Sequence, residues 1–373
     1  MTSSPGPARV GPARVGPDLD VTVAGVKMRN PVMIASGVFG YGREYADLID
    51  LSTLGAIVVK GTSWNPREGN PPPRTVETVA GMLNSIGLQN PGVDYFLSVD
   101  LPWLRGFDVP VIVNVVGDTV EDYAKMAGRL EGVAGVAALE ANISCPNVDK
   151  GGLAFGADPA AAGSVVAAMR RATSLPLIVK LTPNVTDITA VAKEAVAAGA
   201  DAISLINTLV GMAIDLETRQ PVLARGTGGL SGPAIKPVAL AAVYRVAAAV
   251  TVPIIGMGGL WTGRDAAEFL MAGASAVAVG TAIFADPAAP GRVVAELGEF
   301  MTEQGFGRVA EMVGRANTGF LGRYPPSSAA GGGPGDCGPG DCGSSGGGPG
   351  ARGPGGRGPG GGGPGARSDR EET

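Results

Sequence analysis

Residues 253–280, PIIGMGGLWTGRDAAEFLMAGASAVAVG, carry the pattern from which the fold is predicted. It begins with a short β-rich apolar run, continues with a segment of helical period, and ends with a second β-rich run. Two buried strands joined by one helix are typical of a parallel β–α–β unit. The chain between its two ends repeats this alternation.

The predicted strands are PVMIAS, AIVVK, VIVNV, ALEANIS, LIVKL, AISLIN, PIIGMG and AVAVG. Each is followed by a helix candidate, for example TVEDYAKMAGRL after the third, VTDITAVAKEAVAAG after the fifth and GRDAAEFLMAGA after the seventh. Eight β–α units predict an α/β fold, a (β/α)8 TIM barrel. VTVAGVKMRNP, before the first strand, predicts a hairpin that closes the bottom of the barrel.

Both ends of the chain differ in composition from the middle. GPARVGPARVGP is a five-residue repeat, and the C-terminal end is nearly all Gly, Pro, Ser and a few charges. Such segments bury too little apolar surface to offset the entropy of ordering. We expect a disordered segment over residues 1–18, a single barrel domain over 19–325, and a low-complexity Gly/Pro-rich tail over 326–373. Cys337 and Cys342 in the tail supply only half of a tetrahedral metal site and indicate repeat expansion.

Charge and composition exclude several classes of function. The chain of 373 residues has a formal net charge of −5 and no basic patch, so nucleic acid is not the expected partner. It lacks an apolar run long enough for a membrane span and an apolar signal-peptide core, which predicts a cytoplasmic protein. Histidine is absent. Any acid–base chemistry must therefore use Cys, Lys, Asp, Glu or Tyr, and no metal site is expected.

Nearly every predicted strand ends in a polar residue or a glycine, at the end of the barrel where active sites lie. These residues are Ser36, Lys60, Asn114, Asn142 with Cys145, Lys180, Asn207 with Thr208, Gly258 with Gly259, and Gly280 with Thr281. Two lysines at the ends of buried strands require an anion or a polar ligand. The glycines after the last two strands predict a phosphate site, and the asparagines predict a planar, hydrogen-bonding ring.

Two further features point to the same end of the barrel. The connections from Gly61 to about Pro110 and from Asn207 to Lys236 are longer than plain connectors, and long ordered loops are usually functional. Cys145 is the lone cysteine in the body of the chain and directly follows a predicted strand. A lone cysteine can be inert packing. Its position beside Asn142, in a chain without histidine, favours a chemical role.

Several stretches together resemble the dihydroorotate dehydrogenase family, pyrimidine-pathway flavoenzymes built on an FMN-binding barrel. The matching stretches are NPVMIASGVFGYG, GAIVVKGTSWNPREGNPPPR, GMLNSIGLQNPGV, NISCPNVDKGG, KLTPNVTDI, LINTLVGMAID, GGLSGPAIKPVAL and GMGGLWTGRDAAEFLMAGASAVAVGTAIF. They cover about residues 20 to 305 in order.

The resemblance implies oxidation of dihydroorotate to orotate, in which a base removes a proton and FMN accepts a hydride. In the soluble class of the family the base is a cysteine, at the position of Cys145. GMLNSIGLQNPGV and GGLSGPAIKPVAL resemble the NAD-linked type. That type implies a homodimer joined to a second subunit carrying FAD and a 2Fe-2S cluster, a heterotetramer with no nucleic acid and no membrane.

The resemblance also implies the ligand contacts. The residues expected to bind FMN are Ser36, Lys60, Gly61, Asn114, Asn142, Lys180, Ile206, Gly232, Gly258, Gly259, Gly280 and Thr281. The residues expected to bind the substrate are Lys60, Asn84, Ser85, Ile86, Gly87, Leu88, Asn142, Asn207 and Thr208. Lys60 would meet the orotate carboxylate, and Lys180 would stabilise negative charge on the reduced flavin.

Four alternatives stay open from the sequence. Fumarate could be the electron acceptor, or another FMN-dependent barrel could act on a related dihydropyrimidine. An aldolase-type barrel could use Lys60 or Lys180 to form a Schiff base. A scaffold whose Gly/Pro tail recruits partners is the non-enzymatic alternative.

Overall fold

Eight parallel strands close into a barrel in the computed structural model, which describes residues 16–144 and 152–321. They are β1 (Val32–Ile34), β2 (Ala56–Val58), β3 (Val111–Val115), β4 (Val136–Asn142), β5 (Leu177–Lys180), β6 (Ala202–Leu205), β7 (Ile254–Met257) and β8 (Ala276–Val279). Neighbours in the barrel are neighbours in the chain, and β8 pairs with β1 to close it. All eight predicted strands are present, so the (β/α)8 barrel is confirmed.

The α-helices of the described residues surround this barrel. They are Val93–Tyr95, Leu101–Leu104, Val120–Leu130, Gly152–Ala157, Pro159–Ala172, Ile188–Ala197, Lys236–Ala249, Gly263–Ala272, Ala282–Ala285, Ala289–Glu303 and Thr318–Leu321. The π-helix Phe96–Asp100 joins the first two of them.

Local sequence decides where the helices begin. The Thr119 hydroxyl accepts from the backbone N–H of Asp122, whose carboxylate accepts in return from the Thr119 N–H. Thr262 and Asp265 form the same capping box. Such caps satisfy backbone donors that have no partner within the helix. The helices predicted after the third, fifth and seventh strands are confirmed.

The first strand is not followed by an α-helix. The connection from β1 to β2 consists of turns and the short 3-10 helix Leu51–Thr53, so the prediction of a helix after every strand is wrong there. Gly37, Gly40 and Gly42 adopt positive φ angles of 90°, 56° and 92°. These left-handed conformations are incompatible with a continuous right-handed helix.

The lower half of the barrel interior is apolar and closed. The antiparallel strands Val21–Val23 and Val26–Met28 form the predicted hairpin. Its buried side chains join a hydrophobic cluster with inward-facing residues of the barrel strands, among them Met33, Ile112 and Ile178. The hairpin thereby removes the bottom of the barrel from solvent.

The two long connections meet in one sheet. The strands Thr75–Thr78 and Gly81–Asn84 come from the connection after β2, and Leu209–Met212 and Thr227–Ser231 from the connection after β6. They form a four-stranded antiparallel sheet in which Asn84 pairs with Gly229. A small hairpin, Ile214–Asp215 with Gln220–Pro221, extends the second connection. The sequence predicted two functional loops but not their pairing.

The chain divides into two units, Met1–Pro326 and Ser327–Thr373, and every described residue belongs to the first. The predicted domain boundaries and the predicted disorder of both ends stay predictions, because residues 1–15 and 322–373 lie outside the described residues. No helix in the described part of the chain combines the length and hydropathy that a bilayer crossing needs.

Candidate active site

A cavity of about 430 Å³ opens at the C-terminal ends of the barrel strands. Its volume falls in the range of about 300–1,000 Å³ that is usual for small-molecule sites. Its wall combines the ends of the barrel strands with Met82, Asn84 and Ser231 of the four-stranded sheet. The barrel and both long connections therefore build one site.

The structure brings the predicted cofactor residues together. All of them line this cavity: Ser36, Lys60, Gly61, Asn114, Asn142, Lys180, Ile206, Gly232, Gly258, Gly259, Gly280 and Thr281. Most predicted substrate residues line it too, namely Lys60, Asn84, Ile86, Gly87, Leu88, Asn142, Asn207 and Thr208.

Ser85 is placed differently from its neighbours. It is buried, and its hydroxyl accepts a hydrogen bond of 3.0 Å from Asn70 Nδ2 instead of lining the cavity. Gly87 and Leu88 follow with φ angles of 76° and 56°. For Leu88 this conformation is unusual, and such strain is concentrated at functional segments. Ser85 helps to hold the segment whose later residues face the ligand space.

Two lysines, Lys60 and Lys180, face the cavity without an ion-pair partner among the described residues. Lys180 is 4% exposed, and its Nζ donates to Ser36 Oγ at 3.1 Å. Burial lowers the pKa of Lys60, and the charge of Arg74 lowers it further, although Glu44 partly opposes the shift. Unpaired cations in a partly desolvated cavity favour an anionic ligand.

A chain of hydrogen bonds runs from the barrel interior to the rim. The Ser144 hydroxyl donates to Asn142 Oδ1 at 3.2 Å, and Asn142 Nδ2 donates to Asn114 Oδ1 at 3.1 Å. Asn114 Nδ2 donates to Glu140 Oε1 at 2.6 Å, and the Ser204 hydroxyl donates to Glu140 Oε2 at 2.8 Å. The two cavity asparagines are thus fixed by partners on both sides.

Backbone glycines shape the opposite wall. Gly258 and Gly259 have φ angles of 125° and 73°, and a Cβ on Gly259 would lie 2.8 Å from the Lys236 backbone nitrogen. Asp265 holds the following turn, since its carboxylate accepts from the N–H groups of Trp261 and Thr262 at 2.9 and 2.8 Å. The backbone of Gly258 and Gly259 thus lines the cavity beside the larger side chain of Trp261, and backbone of this kind can approach an anion.

Cys145, the predicted catalytic residue, lies outside the described residues, as do Cys337 and Cys342. The described chain reaches Ser144, which is buried. Its carbonyl oxygen accepts from Asn207 Nδ2 at 2.7 Å. The residue before Cys145 is therefore anchored to a side chain that lines the cavity.

Four residues of interest were not predicted from the sequence. Arg74, Trp261 and Phe284 line the cavity, and Glu140 lies buried beneath it. A signal for Glu140 was present, because strand alternation places it on the same face as Asn142. Arg74 stands within a stretch that carries the family resemblance, but nothing in its spacing predicted a place in the cavity.

In the part of the chain that the structure describes, no cluster of three or more His, Cys, Asp or Glu side chains could hold a metal ion. The donors at this site are amides, hydroxyls, ammonium groups and backbone N–H groups. They suit an organic, anionic ligand.

A family model and the similar curated proteins indicate the same family. Residues 18–301 match the family model described as dihydroorotate dehydrogenase. The catalytic subunit of dihydroorotate dehydrogenase B (NAD(+)) from Geobacter sp. (strain M21) is 58% identical over 80% of this chain and 97% of its own length. The proteins of that name from Pelobacter propionicus and Geobacter sulfurreducens are 58% and 57% identical, over 80% of this chain and 98% and 97% of their own lengths. The chain therefore belongs to the dihydroorotate dehydrogenase family of FMN-dependent oxidoreductases.

Proposed function

We propose that this chain is the catalytic subunit of an NAD-linked dihydroorotate dehydrogenase, which oxidises dihydroorotate to orotate in pyrimidine biosynthesis. The observation that carries the proposal is one cavity that combines two unpaired lysines, a row of oriented amides and a glycine wall. The similar proteins named as NAD(+)-linked catalytic subunits support the electron acceptor.

The cavity fits FMN by its donor set. Gly258, Gly259, Gly280 and Thr281 would hold the phosphate, and a Cβ added to Gly280 would meet nothing closer than the Ala35 Cβ at 3.8 Å. Space next to that backbone is what a phosphate requires.

The remaining predicted cofactor residues, Ser36, Lys60, Gly61, Asn114, Asn142, Lys180, Ile206 and Gly232, would surround the ring and its side chain. FMN, when bound, supplies the acceptor for the hydride that leaves the substrate.

Lys60 and the adjacent Arg74 suit the carboxylate of dihydroorotate. Both line the cavity, and after burial it is the charge of Arg74 that most lowers the pKa of Lys60, because the two cations repel each other. A bound carboxylate would relieve this repulsion. Asn84, Asn142, Asn207 and Thr208 offer donors and acceptors for the edges of the ring.

Ile86, Gly87 and Leu88 would contact the same ring, since all three line the cavity, and Ser85 would act by holding their segment.

Cys145 would act as the base. The thiolate removes a proton from one ring carbon, the hydride leaves from the neighbouring carbon, and the electron pair left behind forms the new C=C bond. A free thiol has a pKa of about 8.5, so the reaction requires ionisation of Cys145 before or during substrate binding. The support is its place in the chain, one residue beyond the anchored Ser144.

A second subunit with FAD and a 2Fe-2S cluster would carry electrons from this chain to NAD, and a homodimer of this chain would complete a heterotetramer. Exposed apolar side chains support a protein partner: Val79, Val210, Met212, Ile214 and Leu216 project from the two long connections. A protein partner that covers these side chains would remove their apolar surface from water. A cytoplasmic location belongs to the same proposal.

The test is dihydroorotate oxidation by the purified yellow protein, with NAD or fumarate, with and without the co-purified partner. We expect orotate with NAD only when the partner is present, and no fumarate reduction. Turnover with fumarate by the isolated chain would overturn the NAD assignment. Faster oxidation of a different dihydropyrimidine would overturn the substrate assignment. The two remaining alternatives, a Schiff-base aldolase and a non-enzymatic scaffold, are not functions of the dihydroorotate dehydrogenase family.

A further inference from the structure

Glu140 is a buried acid that the proposed reaction does not use. It lies on β4 two residues before Asn142, points into the barrel and is 1% exposed. Its carboxylate accepts from Asn114 Nδ2 on β3 and from the Ser204 hydroxyl on β6. Burial of an acid is costly. A role beyond filling space would explain why an acid stands where the layer below is apolar.

We propose that Glu140 is a positioning residue that sets the amide orientation of Asn114 and Asn142 toward the bound ring. The inference rests on the proposed binding of FMN in this cavity. A carboxylate can only accept hydrogen bonds, so the Asn114 side chain must turn its NH2 group toward Glu140. Its Oδ1 then faces Asn142, at 3.1 Å from Asn142 Nδ2.

The orientation of Asn114 also determines which atoms of Asn142 donate and accept. Because Asn142 donates to Asn114, its own Oδ1 is left to accept from the backbone N–H and the hydroxyl of Ser144. Each of the two asparagines keeps one unused N–H for a ligand. Glu140 therefore commits the pair to presenting donors, which suits the carbonyl oxygens and ring nitrogens of a flavin or an orotate.

The same chain of hydrogen bonds reaches Ser144. Ser144 directly precedes Cys145, and its carbonyl accepts from Asn207. If the Asn114 amide were flipped, its Oδ1 would face the Glu140 carboxylate and its Nδ2 would face Asn142 Nδ2. Both hydrogen bonds of the Asn114 side chain would then be lost. Loss of the acceptor at Glu140 should therefore disturb ligand binding at a distance from the carboxylate.

The experiment is a double-mutant cycle with Glu140→Met and Asn114→Ala, read by the FMN dissociation constant and by the orotate-induced change in the flavin spectrum. We expect each single variant to weaken FMN binding by about 10-fold or more, the loss of one well-placed hydrogen bond. In the Asn114→Ala background, Glu140→Met should cause no further loss. Losses that multiply, or a Glu140→Met protein with wild-type affinity, would overturn the proposal.

Two further variants separate positioning from charge. Glu140→Gln keeps an oxygen for Asn114 while its NH2 can donate to the Ser204 hydroxyl, so FMN affinity should stay within about 3-fold of wild type. Ser204→Ala removes the other hydrogen-bond donor to Glu140, and its FMN affinity should also stay within about 3-fold of wild type. A 10-fold loss in Glu140→Gln would overturn the proposal, because the acceptor oxygen for Asn114 is still present.

A second measurement does not need bound flavin. In selectively 15N-labelled protein without FMN, the Asn114 side-chain NH2 signal should shift in Glu140→Gln, because a charge-assisted hydrogen bond is replaced by a neutral one. An unchanged signal overturns the proposal even if Glu140→Met does not fold. If the wild-type protein binds no FMN, the proposed function fails, while this signal still reports on Glu140.

Discussion

The lower and upper halves of the barrel interior are built from the same eight strands but have opposite chemistry. In the lower half, Ile112 and Ile178 pack with the closing hairpin into a hydrophobic cluster. Two residues further along the same strands stand Asn114 and Lys180, which line the cavity. Because alternate residues of a strand share a face, a single strand supplies packing below and ligand contacts above. Substitutions in the lower half should therefore lower the free energy of unfolding, and substitutions in the upper half should weaken ligand binding or slow the reaction.

The largest expected effect in the upper half is that of Cys145→Ala. A general base contributes about 10²–10⁴-fold to a rate. We expect the variant to bind FMN normally and to lose flavin reduction by dihydroorotate by that factor. Stopped-flow absorbance under anaerobic conditions measures it. The matched control is Cys337→Ala with Cys342→Ala, which leaves the body of the chain untouched, and reduction of Cys145→Ala at the wild-type rate would remove the assignment.

In the lower half the corresponding change is Ile178→Ala. Removal of a buried Ile side chain costs about 2–5 kcal/mol, and we expect that loss in the free energy of unfolding. Urea unfolding of the protein without FMN measures it. The FMN dissociation constant should stay the same. A large loss of FMN affinity without a loss of stability would show that the two halves are not separable.

Lys60→Met, in the upper half, should change both orotate affinity and protein stability. Loss of a charged hydrogen bond should weaken orotate binding by about 2–3 kcal/mol, roughly 30- to 150-fold. The same change should raise the melting temperature of the protein without ligand, because burial already lowers the pKa of Lys60 and disfavours its charge. Lys27→Met, on the exposed side of the closing hairpin, is the control. Unchanged orotate affinity would contradict the carboxylate contact.

The smallest expected effect is on pH dependence. The pKa of Lys60 lies below the usual 10.5, so its positive charge is present below the lowered value and is lost sooner than that of a free lysine as pH rises. We expect the KM for dihydroorotate to rise by a few-fold on the alkaline side, while kcat rises as Cys145 ionises. Lys60→Arg should abolish the rise in KM, since arginine stays protonated. A rise in KM that persists in Lys60→Arg would assign it to another group.

The fold could be predicted from sequence because the barrel strands are short runs between turn residues, and a helix follows every strand except the first. VIVNV coincides with β3, Val111–Val115. The helix predicted after the first strand is wrong because three left-handed glycines form turns in its place. The pairing of the two long connections escaped as well, since residues far apart in the chain form that sheet and no local pattern specifies it.

The cavity residues at the ends of the barrel strands could be predicted from the sequence, and those from other parts of the chain could not. Lys60, Asn114 and Lys180 follow from the rule that barrel active sites lie at strand ends. Arg74 and Phe284 reach the cavity through tertiary packing alone. The role proposed for Glu140 required its contacts with Asn114 and Ser204 on two other strands, which the sequence pattern does not give.

The most direct measurement mixes the FMN-loaded protein with dihydroorotate anaerobically, without NAD, and follows flavin colour and orotate together. We expect the flavin to bleach and one orotate to form for each FMN reduced. A protein that binds no FMN in this cavity, or a bound flavin that keeps its colour in excess dihydroorotate, would contradict the proposal that the upper half of the barrel is the site of this oxidation.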